Sequence, residues 1–420
     1  MIFGKYSFML ALYRLSVWMY EVMAKAIALF NHKAGLFVDG RKSIFERLES
    51  AIEKDGHQLV WIHTASVGEF EQGRPIIEEF KKGGMKTKIL LTFFSPSGYE
   101  LRKNYELADY VFYLPMDAPT AAKRFISITQ PDLAIFIKYE FWYFYLKELQ
   151  NMKVPTFQVS CVLRKNHFFF GRPGKFYKQV LKGIDHYFVQ DEESAKLLET
   201  IGVTQCTVAG DTRFDRVSTV ASQAKEIPVA KAFKGDEKLM VLGSTWPSDI
   251  DRVREFLLKY IGQLKFIIAP HNIEEKEIQQ LLELPDSITF SEADESLVND
   301  KRILIIDNIG MLSSLYRYGD FAYVGGSFNG TLHNTLEAAV YGIPVYFGND
   351  VSNAKFLEAK GLILEDGGFE IEDSKSFEQE FLKLWNHPEA YEKASRAASQ
   401  FVETRKGATK KVMNHIKKVL

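Results

Sequence analysis

Three turns carry residue types that could do chemistry. The first is His63-Thr64-Ala65-Ser66-Val67-Gly68-Glu69-Phe70, where an apolar run feeds a small Ser-Val-Gly loop and then an acid at the start of a helix. Gly68 has no Cβ, so a substrate can come close to the backbone there. A carboxylate at a helix N-terminus is stabilised as the anion, and an ionised carboxylate in a cleft is a competent general base toward a hydroxyl. The spacing of Ser66 and Glu69 fits a capping box equally well, in which case the acid only completes the helix start. The second turn is Lys138-Tyr139-Glu140-Phe141-Trp142, again with charged groups following an apolar run. Glu140 reads either as a second acid of the site or as a residue that opens a helix.

The third turn is the richest. Val324-Gly325-Gly326-Ser327-Phe328-Asn329-Gly330-Thr331-Leu332-His333-Asn334-Thr335-Leu336-Glu337-Ala338 reads as a strand, a Gly-Gly-Ser turn, a loop, and a helix that begins at His333-Asn334. A helix N-terminus there would receive a phosphate. Glu337, four residues beyond His333, would face the same way and could accept two hydrogen bonds from a ribose. Nearby in the same half, Gly243-Ser244-Thr245 offers backbone N–H groups and hydroxyls to a phosphate, and Pro270-His271 places a histidine at a strand end. A single histidine there can contact a nucleotide or be purely structural. The pattern is neither GxGxxG nor GxxxxGK[ST], so it indicates neither a dinucleotide fingerprint nor a P-loop.

The elements that must position these turns are short apolar runs. Runs at 57–64, 87–94, 132–138, 154–160 and 186–190 read as strands, with helical patterns at 72–82, 97–107, 118–128 and 191–201. The pattern lapses over 212–236, which reads as a linker. It resumes with strands at 238–244, 264–270, 302–307, 320–327 and 343–348. Strands alternating with helices mean βαβ units and parallel sheets. The expectation is an α/β chain with two doubly wound, Rossmann-like halves facing a cleft, and ligands at the carboxyl ends of the strands. Its parts would be 1–40, an N-terminal helix; 41–215, the first Rossmann-like domain; 216–395, the second; and 396–420, a basic C-terminal helix.

Composition narrows the partners. The 420 residues carry 53 Lys+Arg against 54 Asp+Glu, with 46% hydrophobic and 25% charged residues. That argues for a folded globular chain of two domains and against a globally basic nucleic-acid binder. The 14% aromatic content reads as core packing. Cys161 and Cys206 form no CxxC pair, so neither a disulfide framework nor a metal site is expected. Residues 6–30 are apolar and aromatic, but Arg14, Glu21 and Lys25 interrupt them. A spanning helix of about twenty residues rarely holds three charges. An amphipathic helix in a membrane interface fits better, with Tyr13, Trp18 and Tyr20 at headgroup level and Lys5, Arg14, Lys25 and Lys33 toward anionic lipid. The basic residues at 405–418 read as a solvated face or a second lipid contact.

Taken in order, these segments resemble the Kdo (3-deoxy-D-manno-octulosonic acid) transferases of lipid A and lipopolysaccharide assembly. Ser66-Val67-Gly68-Glu69 looks like their SVGE, Tyr113-Leu114-Pro115-Met116-Asp117 like YLPxD, and Glu140-Phe141-Trp142 like ELW. Gly210 to Asp215 resembles G-x-x-K-F-D, Gly243-Ser244-Thr245 matches GST, and Gly325 to Val345 follows GGS…HNPLEPA…GKPV. The resemblance implies a GT-B glycosyltransferase, inverting and metal-free. Its donor would be CMP-Kdo, a substrate rather than a cofactor, and its acceptor a tetraacylated lipid A precursor. The location implied is the cytoplasmic side of the cell inner membrane, peripheral or with one N-terminal anchor. It further implies Glu69 as general base, with Ser244, His271, Gly326, Ser327, Asn334 and Glu337 holding CMP. Three stretches depart from the family pattern. Lys138 replaces the first acid of E-T-E-L-W-P. Pro270-His271-Asn272 replaces R-H-P, removing an arginine. Thr335 and Ala338 replace the prolines of H-N-P-L-E-P. Two other readings share the same turns: a GT-B-like enzyme using a UDP-sugar, and a catalytically silent nucleotide-sugar binding protein.

Overall fold

Among the described residues, the fold follows from fourteen short strands, all paired in parallel. In chain order they are β1 (Gln58–Thr64), β2 (Thr87–Phe93), β3 (Tyr110–Tyr113), β4 (Leu133–Ile137), β5 (Thr156–Cys161), β6 (His186–Val189), β7 (Cys206–Val208), β8 (Leu239–Thr245), β9 (Lys265–Pro270), β10 (Ser287–Thr289), β11 (Ile303–Ile305), β12 (Phe321–Val324), β13 (Val345–Gly348) and β14 (Gly368–Ile371). The computed structural model describes residues 2–82, 86–171, 173–351, 353 and 356–420, with side chains for all of these except 2–7, 173 and 175. Lys5, expected to face lipid, lies outside the described side chains.

The strands form two seven-stranded sheets, ordered β3-β2-β1-β4-β5-β6-β7 and β10-β11-β9-β8-β12-β13-β14. This is the doubly wound, two-unit α/β organisation of the GT-B class. Helices cover both faces, so the central strands are apolar throughout rather than alternating. In β1, for example, Leu59 and Trp61 enter one core and Val60 and Ile62 the other, on the opposite face of the sheet. All ten strands expected from the apolar runs are present. The four that sequence reading missed, β3, β7, β10 and β14, are the four sheet edges.

The chain divides into two compact units, one of Met1–Arg216 with Gly407–Leu420 and another of Val217–Lys406. The stretch read as a linker holds two helices, Thr212–Gln223 and Pro228–Lys234. Each has buried apolar residues, Phe214 and Val217 in one and Ala230 and Phe233 in the other. The last helix, Ala408–Ile416, belongs to the first unit. Its Val412, Met413 and Ile416 complete the core around Phe70 and Phe80. Asp215 ties its start, accepting from Gly407 N at 2.6 Å and Thr409 N at 2.7 Å.

Among the described residues, no helix is long and apolar enough to cross a membrane. The helix Ile2–Ile27 packs Met9, Leu10 and Tyr13 against the core of the first unit. It leaves Phe8, Leu12, Leu15, Trp18, Met19 and Met23 exposed.

Candidate functional site

In an open parallel sheet, ligands bind where the strand order reverses. In the first unit the reversal lies between β1 and β4, neighbours in register from Val60↔Leu133 to His63↔Phe136. The two turns singled out in the first half of the sequence are those that leave these strands. After β1 the helix Val67–Lys82 begins almost at once. Gly68 is therefore in the first helical turn and not in a flexible loop. A Cβ there would meet nothing nearer than Ser66 Oγ at 3.8 Å. Ser66 precedes the helix, and its hydroxyl donates to the Glu69 carboxylate. Glu69 is only 8% exposed, and Lys138 Nζ stands 3.3 Å from its Oε1.

Lys138 adopts a left-handed backbone, φ 70°. Its N–H donates to Val159 O at 2.8 Å, and its carbonyl accepts from Gln158 Nε2 at 3.0 Å. The bonds on both sides hold a conformation that costs a non-glycine residue energy. Glu140 follows in an irregular segment, so of its two readings the one in which it opens a helix does not hold. The next helix starts at Tyr143, because the buried Asp117 carboxylate accepts from Phe144 N at 3.0 Å and Tyr145 N at 3.2 Å. Burial first, and the Glu69 charge second, push the Glu140 carboxyl up to about 8, against the opposing influence of Trp142 and Lys138. Near neutral pH, Glu140 holds its proton and can donate it.

His63 Nε2 is 3.9 Å from Glu140 Oε2, but the two form no ion pair. Burial lowers the His63 imidazole to about 3, so it is neutral. Its Nε2 accepts from Trp142 Nε1 at 3.0 Å. Its Nδ1 lies 2.9 Å from Thr92 Oγ1, which also accepts from Trp61 Nε1 at 2.8 Å. His63 positions the indole of Trp142.

The second sheet reverses between β8 and β12, whose register ends at Val324↔Gly243. Ser244 leaves β8 with φ 54°, at an irregularity between β8 and β9. Opposite it, a Cβ on Gly325 would lie 2.5 Å from Ser244 O and 2.8 Å from Asp249 Oδ2, so only glycine fits. Gly326 has φ 92°, which favours glycine. Asp249, fully buried, ties the turns together. It accepts from Trp246 N at 2.8 Å, Gly326 N at 2.9 Å and Tyr323 OH at 2.7 Å. Burial still leaves its carboxyl above the usual range.

Over this turn three aromatic rings assemble. His271 stacks on Trp246 at 4.5 Å and on His333 at 4.5 Å, while Trp246 Nε1 donates to His333 Nε2 at 3.2 Å. The helix expected at His333 is a single turn, Leu336–Ala339. Asn334 Oδ1 accepts from Leu336 N at 3.2 Å and so sets its start, and Gly342, at φ 71° and just before Ile343-Pro344, stops it. A turn that short has few aligned peptides, so it does not supply the macrodipole expected of it. Asn334 Nδ2 donates to Glu337 Oε1 at 3.2 Å. Ser327 is fully buried, with Oγ 2.6 Å from Gly348 O and 2.8 Å from Asn353 Oδ1. Its hydroxyl is engaged within the loop.

Residues 42–216 match the family model Glycos_transf_N, 3-deoxy-D-manno-octulosonic-acid transferase (kdotransferase). Over this segment the chain is similar to the Kdo transferases. It is 29% identical over 326 residues to the 3-deoxy-D-manno-octulosonic acid transferase of Aquifex aeolicus (strain VF5), covering 75% of this chain and 82% of that protein. The Rickettsia prowazekii (strain Madrid E) protein of the same name is 25% identical over 410 residues, 93% of this chain and 84% of its own. The one from Haemophilus influenzae is 26% identical over 378 residues, 86% and 87% respectively. Among solved structures, UDP-GlcNAc 2-epimerase from Neisseria meningitidis aligns with a TM-score of 0.59 at 15% identity, over 86% of this chain and 100% of that one. The Methanocaldococcus jannaschii UDP-GlcNAc 2-epimerase aligns at 0.51 and 14%, over 83% and 99%. These structural likenesses are of fold. The segment that matches the family model, residues 42–216, contains both turns of the first switch point, Ser66–Glu69 and Lys138–Trp142.

Trp246 and Asp249 escaped sequence reading, and His63 and Trp142 stand in the turns it singled out without a role of their own. Asp249 had a signal, since Trp246-Pro247-Ser248-Asp249 is the N-cap, proline and third-position acid of a helix start. The two Trp-to-His hydrogen bonds had none, because each joins residues 79 or 87 positions apart.

Proposed function

We propose that this chain transfers Kdo from CMP-Kdo to a glucosamine hydroxyl of a tetraacylated lipid A precursor, with inversion. In this reading Glu69 takes the hydroxyl proton as the oxygen attacks the anomeric carbon. The bond from that carbon to the CMP phosphate breaks, and CMP leaves with the electron pair. Glu140 supports the step as a neutral hydrogen-bond donor beside the base. The turns Ser244–Trp246, His271, Gly325–Gly326 and His333–Glu337 hold the donor. The observation that carries the reading is Glu69, buried beside Lys138 and Glu140 at the β1/β4 reversal, within the segment that matches the Kdo transferase model.

The chain would work at the cytoplasmic face of the inner membrane, resting on the exposed apolar face of its first helix, and would need no metal or cofactor. The test is a transfer assay with CMP-Kdo generated in situ and the tetraacylated acceptor, read by mass spectrometry with and without EDTA. A mass gain of one or more Kdo units that persists in EDTA supports the proposal. No gain with this acceptor sinks the acceptor assignment, and stabilisation by UDP but not CMP sinks the donor.

A further inference from the structure

The three-ring cluster of the second unit has a defined hydrogen-bond polarity. The indole N–H of Trp246 can only donate. It lies 3.2 Å from His333 Nε2, so that nitrogen must be the acceptor and the ring proton must be on Nδ1. Burial and the neighbouring His271 lower the His333 imidazole to about 4, and the ring is neutral near pH 7. Among the described residues nothing accepts from Nδ1. His271 stacks on both partners, with its ring at 23° to Trp246 and 29° to His333. The backbone is fixed as well. His333 N donates to Gly325 O at 3.2 Å, and a Cβ on Gly326 would lie 2.7 Å from His333 Cδ2. His333 is thus a neutral N–H donor with a set direction, at the carboxyl end of β12 beside the glycine turn.

We propose that Trp246 is a positioning residue that locks His333 in its Nδ1–H tautomer, so that His333 donates a hydrogen bond to an anionic oxygen of the donor nucleotide. The inference rests on reading the second unit as the donor site. A neutral donor suits this role, because it binds the phosphate oxygen by direction and adds no charge that would hold the departing CMP. A tautomer with the proton on Nε2 would point its donor at Trp246 and leave an acceptor facing the phosphate.

The test uses Trp246→Phe, which keeps an aromatic ring to stack on His271 and removes the indole N–H together with part of the ring. Long-range 1H–15N spectra of protein labelled at its nine histidines report the tautomer of His333, and calorimetry with CMP reports affinity. The wild type is expected to show Nδ1–H. W246F is expected to shift toward Nε2–H and to bind CMP roughly tenfold more weakly, the loss of one charge-assisted hydrogen bond. His333→Asn places an amide N–H where Nδ1–H lies and should retain CMP binding, whereas His333→Gln places it at the Nε2 position and should fall as far as W246F. An unchanged tautomer in W246F overturns the positioning role. A changed tautomer with unchanged CMP affinity overturns the ligand role. Failure of the wild type itself to bind CMP overturns the donor reading of the whole unit and takes the ligand role with it, while the ligand-free spectra still decide whether Trp246 sets the tautomer.

Discussion

Lys138 Nζ stands 3.3 Å from Glu69 Oε1, at the position where the family resemblance places an acid. An acid at 138 would make a third carboxyl beside Glu69 and Glu140. The lysine supplies the opposite charge, and its left-handed backbone aims it there. If Glu69 is the base, Glu69→Gln should lower the transfer rate by roughly 10²–10⁴, the usual worth of a positioned base, with an unchanged circular dichroism spectrum. Lys138→Met should cost about tenfold in kcat/KM, as expected for one charge-assisted hydrogen bond. Initial rates of Kdo transfer decide both, and near-wild-type turnover in Glu69→Gln would remove it from the base role.

Glu140 makes stability depend on pH in a direction opposite to the common acid. Its folded-state carboxyl is raised to about 8 by burial and by Glu69, whereas the unfolded chain ionises it in the ordinary carboxylate range. Between those values the folded state holds a proton that the unfolded state has released. Stability from this group therefore falls as pH rises toward 8. Glu140→Gln removes the charge at similar size. It should be more stable than wild type at pH 8, by about 4 kcal/mol, and nearly equal to it at pH 4.5. Urea unfolding at the two pH values measures the difference, and an equal effect at both would show that Glu140 is not held protonated by its surroundings.

Most of the framework of these sites is legible in the sequence, because the central strands are buried on both faces and read as unbroken apolar runs. The edge strands are not legible. β7 is only Cys206–Val208, all half-buried, and β3 has three half-buried residues out of four. Tertiary pairing makes them strands where their own pattern is weak. The turns at strand ends stand out because Gly, Ser and acid residues cluster there. Their internal geometry does not, since Gly68 falls into a helix and His333 falls outside one. In the second case a single group near the boundary sets the helix start, Asn334 Oδ1 accepting from Leu336 N. Side-chain pairs distant in sequence, such as Trp246 with His333, leave no local trace.

Asp249 shows in the sequence only as the third-position acid of a helix start, and its removal should be costly. Its carboxylate accepts from two backbone N–H groups and the Tyr323 hydroxyl, all in a fully buried setting. Asp249→Ala leaves three donors without an acceptor. At about 1 kcal/mol or more for each buried group left unpaired, the second unit should lose roughly 3 kcal/mol or more, read as an earlier denaturant midpoint for that unit. Because Asp249 fixes Trp246 N and Gly326 N together, CMP affinity should fall with it even at temperatures where the variant is folded. A variant as stable as wild type would mean that water replaces the carboxylate, and that the turn does not depend on it.

The first helix invites a different test, because one face is packed on the first unit and the other is exposed. Tyr13 donates to Asp117 and packs among Tyr143, Phe144, Phe176 and Tyr177, which seats one face on the first unit. The opposite face exposes Phe8 at 64%, Trp18 at 60% and Met23 at 57%. A contiguous apolar face of that kind marks an interaction site, and Arg14 and Lys25 on the same helix suit an anionic surface. With vesicles containing about one-third anionic lipid, the full chain should co-sediment, and high salt should weaken this only in part, because the apolar contribution is not screened. Phe8→Ser with Trp18→Ser and Met23→Ser should abolish co-sedimentation without lowering the unfolding midpoint, since none of the three packs on the core. Tyr13→Phe should do the reverse, loosening the helix from the unit, read as faster proteolysis near residue 30, while lipid binding survives. Equal vesicle binding by the triple variant and the wild type would place the contact elsewhere, with the basic stretch at 405–418 the next surface to change.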